Sequence, residues 1–178
     1  MKTKVINFVA GPSSGKSTMA ALLFAELKTM HLRAEYVQEV AKFLIYQEKF
    51  EELNNQYNVS MSQYNLLKSI DGQVQFICID SPLILGLYYN KNYESNICNV
   101  EKVEKIILDK MSEFDNIYIF LERNDFPYET SGRVHSFDES VKIDQDLKLL
   151  LGELNIPYKT FLSDRASVQG ILEYILEE

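Results

Sequence analysis

Gly11, Gly15, Lys16 and Ser17 stand at the spacing G-x-x-x-x-G-K-S, and the chemistry that spacing serves is the grip of backbone N–H groups on phosphate oxygens. Glycine permits the dihedrals and the close approach that such a loop needs. In Gly11-Pro12-Ser13-Ser14-Gly15-Lys16-Ser17-Thr18 the lysine would reach the β- and γ-phosphates of a nucleoside triphosphate and the Ser17 hydroxyl would meet Mg²⁺. Ser13, Ser14 and Thr18 complete the cradle, with the start of the following helix favouring the anion through its partial positive charge. Four fixed positions match by accident about once in a hundred chains of this length.

Two carboxylates stand where apolar runs stop. Asp80 ends Val74-Gln75-Phe76-Ile77-Cys78-Ile79. At the end of a strand beside the phosphate loop it can hold Mg²⁺, usually through water, or accept a proton from an attacking hydroxyl. Its other use is to cap the helix that Ser81-Pro82 opens. Glu39 follows Ala34-Glu35-Tyr36-Val37 at a strand-to-helix junction, either as a working acid or as a first-turn acid that offsets the helix dipole. Farther along, Arg123 and Arg133 lie in a polar, aperiodic stretch of about 123–137. That stretch reads as a lid whose planar donor forks could close on the transferring phosphate, or as a solvated loop with incidental arginines.

The elements that must carry these groups follow from the apolar pattern. A nearly continuous apolar run predicts a strand buried on both faces at 5–10, and further strands are expected at 34–37, 74–80, 117–121 and 156–162, whose alternation with helices predicts a parallel sheet. Helical spacing predicts helices at 17–30, from 40, at 83–89, 99–114 and 138–151, and after Arg165. Between 48 and 70 the chain is polar and weakly periodic. A helix bearing Ser62, Gln63, Tyr64 and Lys68, with Met61, Leu66, Leu67 and Ile70 as its apolar members, could cover a substrate pocket or only lengthen the domain.

Length and composition narrow the partners. With 178 residues and no repeat or linker, one domain over 1–178 is expected. Eighteen basic against 26 acidic side chains give a net charge of −8, which disfavours tight non-specific binding to nucleic acid and points to a small molecule as phosphate acceptor. No apolar run reaches the length of a membrane span. The short basic start followed by the phosphate loop does not read as a signal peptide, so a cytoplasmic protein is expected. Cys78 and Cys98 have neither the spacing nor the partners of a zinc site.

Gly11 to Thr18, Glu39-Val40-Ala41-Lys42, Asp80-Ser81-Pro82, Tyr128 through Gly132-Arg133, and Ser163-Asp164-Arg165 together resemble the small AAA-like P-loop kinases, often phage-encoded. That family is similar to the ribosylnicotinamide kinase domain of NAD-biosynthesis regulators. The resemblance implies a three-layer α/β sandwich around a five-stranded parallel sheet of order 2-3-1-4-5. It also implies transfer of the ATP γ-phosphate, with Mg²⁺, to a nucleoside-like or nucleotide acceptor. In it Glu39 matches the acid of the E-[YV]-A-[RK] segment, Asp80 the D-S-P aspartate and Arg133 the G-R lid arginine, while Asp164 and Arg165 fall on the nucleotide. Lys42 stands where arginine is common and Ser163 where glycine is usual. The implied strand order puts Asp80 beside Ser17 and the metal and turns Glu39 toward the acceptor. A kinase for hydroxyls in nucleic acid and a nucleotide-binding regulatory module are the competing functions.

Overall fold

Both faces of the first strand are apolar because both are covered. The computed structural model describes residues 2–125, 127 and 136–178. In it β1 (Lys4–Val9) lies between β3 (Phe76–Ile79) and β4 (Asp115–Glu122), with β2 (Ala34–Val37) and β5 (Lys159–Leu162) at the edges. All four pairings are parallel, and the order is β2-β3-β1-β4-β5, as the resemblance implied. The fold is that of a P-loop three-layer sandwich.

Alternation along the strands divides the core in two. Val5, Val9, Ile77, Ile79 and Phe120 face the layer of α4 (Gln56–Ile70), α5 (Leu83–Asn92), α6 (Val100–Ser112) and α7 (Phe137–Glu153). Ile6, Phe8, Cys78 and Ile119 face α1 (Lys16–Thr29) and α8 (Ser167–Glu177). Local signals fix several helix starts: the Asn55 and Asn99 side chains accept from Asn58 N–H and Lys102 N–H, and Ser136 with Glu139 forms a reciprocal capping box. Among the described residues no helix is long and apolar enough to cross a membrane.

The weakly periodic 48–70 stretch holds two helices, α3 (Phe50–Leu53) and α4, after the short α2 (Val40–Tyr46). Its pattern was obscured because Gln56, Ser60 and Gln63, on the inward face of α4 with Leu67, are polar and buried. Other differences concern boundaries. β3 begins at Phe76 rather than at Val74. β5 begins at Lys159 because the Ile156 N–H still donates to Leu151 O and completes the end of α7. Pro82 is the residue before α5, not part of its first turn.

Leu147, on the inward face of α7, is fully buried, whereas Leu149 on the same helix is 65% exposed. Leu147→Ala is expected to cost about 2–5 kcal/mol through lost burial and a cavity; Leu149→Ala should stay within about 0.5 kcal/mol. Urea unfolding of both variants measures the difference.

Candidate active site

The phosphate loop leaves β1 and turns into α1 through two residues in the left-handed region, Ser13 (φ 57°) and Gly15 (φ 87°). Within it, Ser14 Oγ and Lys16 Nζ both donate to Gly11 O, at 2.9 and 2.8 Å. Glycine is needed at position 11 because a Cβ there would lie 2.6 Å from Ser140 O, and at position 15 because one would lie 2.3 Å from Ser163 Oγ. The loop is also held from outside. Gly11 N–H donates to Asp144 Oδ1 at 2.5 Å, and Arg123 Nε donates to the other oxygen of the same carboxylate. Arg123 Nη2 reaches Pro12 O at 2.9 Å and Ser140 O at 3.2 Å. Arg123 is therefore packed against the loop's backbone, with its fork spent on Asp144 and two carbonyls, rather than standing in a solvated lid. Arg133, with most of the 123–137 stretch, lies outside the described residues.

Asp80, 3% exposed, sits at the C-terminal end of β3. Tyr36 OH donates to its Oδ2 at 2.6 Å, while Oδ1 is buried with no hydrogen-bond partner among the described residues. The Tyr36 ring packs near Phe24 of α1, centroids 6.5 Å apart, and its hydroxyl also meets the Ser17 side chain. Burial, and then the Asp80 carboxylate, push the Tyr36 phenol well above its ordinary value. It therefore stays a donor at neutral pH. The start of α5 carries no side-chain cap, so Asp80 is not used on that helix. The result is a row of Ser17, Tyr36 and Asp80 with one buried carboxylate oxygen unmatched.

Glu39 is the residue before α2 and makes no capping bond to it. It borders two cavities. One, of about 620 Å³, lies over the phosphate loop and is lined also by Lys42, Ser163, Asp164 and Arg165. Its size suits a drug-sized ligand. The other, of about 100 Å³, is mostly apolar and lies among α2, α4 and α5, where Ile45, Gln56, Gln63, Leu83 and Tyr89 face it. Asp164 accepts from Ser167 N–H at 2.8 Å and so also orders the start of α8. Ser163 Oγ is buried against Gly15 without a partner among the described residues. No three His, Cys, Asp or Glu side chains cluster among those residues.

Sequence reasoning singled out Lys16, Ser17, Glu39 and Asp80, which the fold gathers at the C-terminal ends of β1, β2 and β3. It missed Tyr36, Asp144 and the bonds made by Gln63. Tyr36 and Asp144 act through partners 44 and 21 residues away, which no local pattern announces.

Residues 5–168 match the family model described as AAA domain. No curated protein matches the sequence. Among solved structures, the fold is similar to the NadR protein in complex with NAD and AMP-PNP, at 16% identity and a TM-score of 0.67 over 98% of this chain and 49% of NadR. The chain thus spans about half the length of that protein. It is also similar to deoxyadenosine kinase from M. mycoides, at 15% identity and TM-score 0.55 over 97% of each chain. The APS kinase CysC of Mycobacterium tuberculosis, in complex with AMPPNP and APS, follows at 12% and 0.50 over 99% and 96%.

The bond between Tyr36 and Asp80 yields a direct test. Tyr36→Phe leaves a buried carboxylate without its donor and should cost about 1–3 kcal/mol of stability at neutral pH. In an Asp80→Ala background the same change should cost much less. A double-mutant cycle by urea unfolding measures that coupling.

Proposed function

Since its match over residues 5–168 means that the chain belongs to the AAA domain family, we propose that it is a P-loop phosphotransferase that moves the γ-phosphate of ATP to a small nucleoside-like or nucleotide acceptor. The observation that carries this reading is the position of Glu39 at the border of the two cavities. The larger one offers the phosphate loop, Lys16 and Asp164-Arg165 to a nucleotide. The smaller one offers an apolar slot with a few amide and hydroxyl groups to a second molecule. A carboxylate between them is where a phosphoryl acceptor needs a base. The solved structures with similar folds were determined with ATP analogues or with nucleotides, which supports the same assignment of the larger cavity.

In the proposed reaction Lys16 exchanges its contact with Gly11 O for the β- and γ-phosphates, and loop amides bind the non-bridging oxygens. An acceptor hydroxyl seated in the smaller pocket gives its proton to Glu39 as its oxygen bonds to the γ-phosphorus. The bond from that phosphorus to the β–γ bridging oxygen breaks, and ADP leaves with the electron pair. Ser17 and Asp80 would hold Mg²⁺, and the unmatched buried Oδ1 of Asp80 fits that use. The ion would supply charge neutralisation on the phosphates. Tyr36 fixes the orientation of the Asp80 carboxylate. Arg123 and Asp144 keep the loop's backbone in shape, and Arg133 is proposed as the arginine that meets the transferring group.

The test is a panel of nucleosides and nucleotides offered with ATP and Mg²⁺, followed by two variants. Glu39→Gln should leave ATP binding intact and lower transfer about 10²–10⁴-fold, as loss of a general base does. Asp80→Asn should weaken Mg²⁺-dependent ATP binding. ATP turnover must rise with one acceptor in the panel; tight retention of ATP without transfer to any acceptor would make the chain a binding module instead. Exchange of the two variants' phenotypes would reverse the roles of the carboxylates.

A further inference from the structure

We infer that Gln63 is a positioning residue for Glu39, an inference that rests on the role proposed above for that carboxylate. Gln63 lies on α4 and is 4% exposed. Its two amide atoms are used on the two residues that bracket Glu39. Val40 N–H donates to Gln63 Oε1 at 3.0 Å, and Gln63 Nε2 donates to Gln38 O at 3.1 Å. One side chain thus grips the backbone immediately before and after the acid.

That grip matters because it supplies the start of α2 with hydrogen-bond partners from another helix. No residue of α2 is fully buried, and its N-terminus has no side-chain cap of its own, so one of the amides that a helix start leaves unpaired is satisfied from α4. None of its residues belongs to the buried core that holds α5 and α7. A glutamine serves here because it is the uncharged side chain that both accepts and donates through one planar group long enough to span a peptide. Gln63 also faces the smaller pocket together with Glu39. The carboxylate and the wall of the acceptor slot are therefore set by the same residue.

The consequence is a rate effect that depends on Glu39. Gln63→Met preserves volume and removes both bonds. At saturating ATP and acceptor it should lower kcat tenfold or more, with the dissociation constant for ATP unchanged. In a Glu39→Gln background the same substitution should change kcat less than threefold, since the group it positions is gone. Hydrogen exchange read at the Val40 amide supplies a measurement independent of transfer. Exchange there should accelerate in Gln63→Met and return toward the wild-type rate in Gln63→Glu, whose carboxylate still accepts from Val40 N–H. Equal losses of kcat in the two backgrounds, or unchanged exchange at Val40 in Gln63→Met, would overturn the inference. If the wild-type protein phosphorylates no acceptor while the exchange result holds, the reading of Glu39 as a base fails, and the catalytic role of Gln63 fails with it.

Discussion

A loop that turns its amides toward an anion cannot be held in shape by those same amides. The loop between β1 and α1 meets this constraint with bonds from elsewhere in the chain. Asp144 takes the first amide of the loop, Gly11 N–H, and Arg123 couples that carboxylate to Pro12 O. Both side chains are largely buried, so the pair works as a bracket at the mouth of the loop rather than as a surface ion pair of little worth. Removal of either partner would leave a buried charge uncompensated. The close packing of Ser140 O on Gly11 and of Ser163 on Gly15 completes the enclosure, and both contacts exist only because those two positions lack a Cβ.

The parallel sheet accounts for the remaining geometry. Its central strands end at one edge, and the residues that follow β1, β2 and β3 are the phosphate loop, the segment of Glu39 and Asp80. Because β3 lies between β2 and β1, Asp80 follows the strand next to the one that leads into the loop, and Tyr36 on β2 reaches across to it. Glu39, one strand farther out and beyond the end of β2, comes to the border of both the loop cavity and the apolar pocket. Strand order alone thus separates two acids that the sequence presents as similar, each at the end of an apolar run.

Much of this was legible in the chain. The phosphate loop, the five strands and Asp80 follow from local pattern, because β-branched and aromatic runs and a spaced glycine pair carry their own structural consequence. The α3–α4 region did not, because its buried face is built of Gln56, Ser60 and Gln63 and an apolar-period rule registers such residues as solvated. Arg123 was legible as a candidate lid arginine but not as one bonded to Asp144 and to the backbone of the loop after β1. Its partner Asp144 lies on a helix whose charged residues otherwise read as an exposed face. Tyr36 showed only as a strand residue, since its function resides in a hydroxyl that extends past the edge of the strand to a neighbouring carboxylate.

The loop from Gly11 to Thr18 is proposed to hold the phosphates of a nucleotide, with Lys16 supplying the charge. Calorimetric titration of ATP with Mg²⁺ into the wild-type protein and into Lys16→Ala tests it most directly, with circular dichroism and the melting temperature as controls for folding. Saturable binding to the wild type and at least a tenfold loss in the variant, about 1.4 kcal/mol or more, at unchanged fold, are expected. Equal affinity of the two folded proteins for ATP would contradict it.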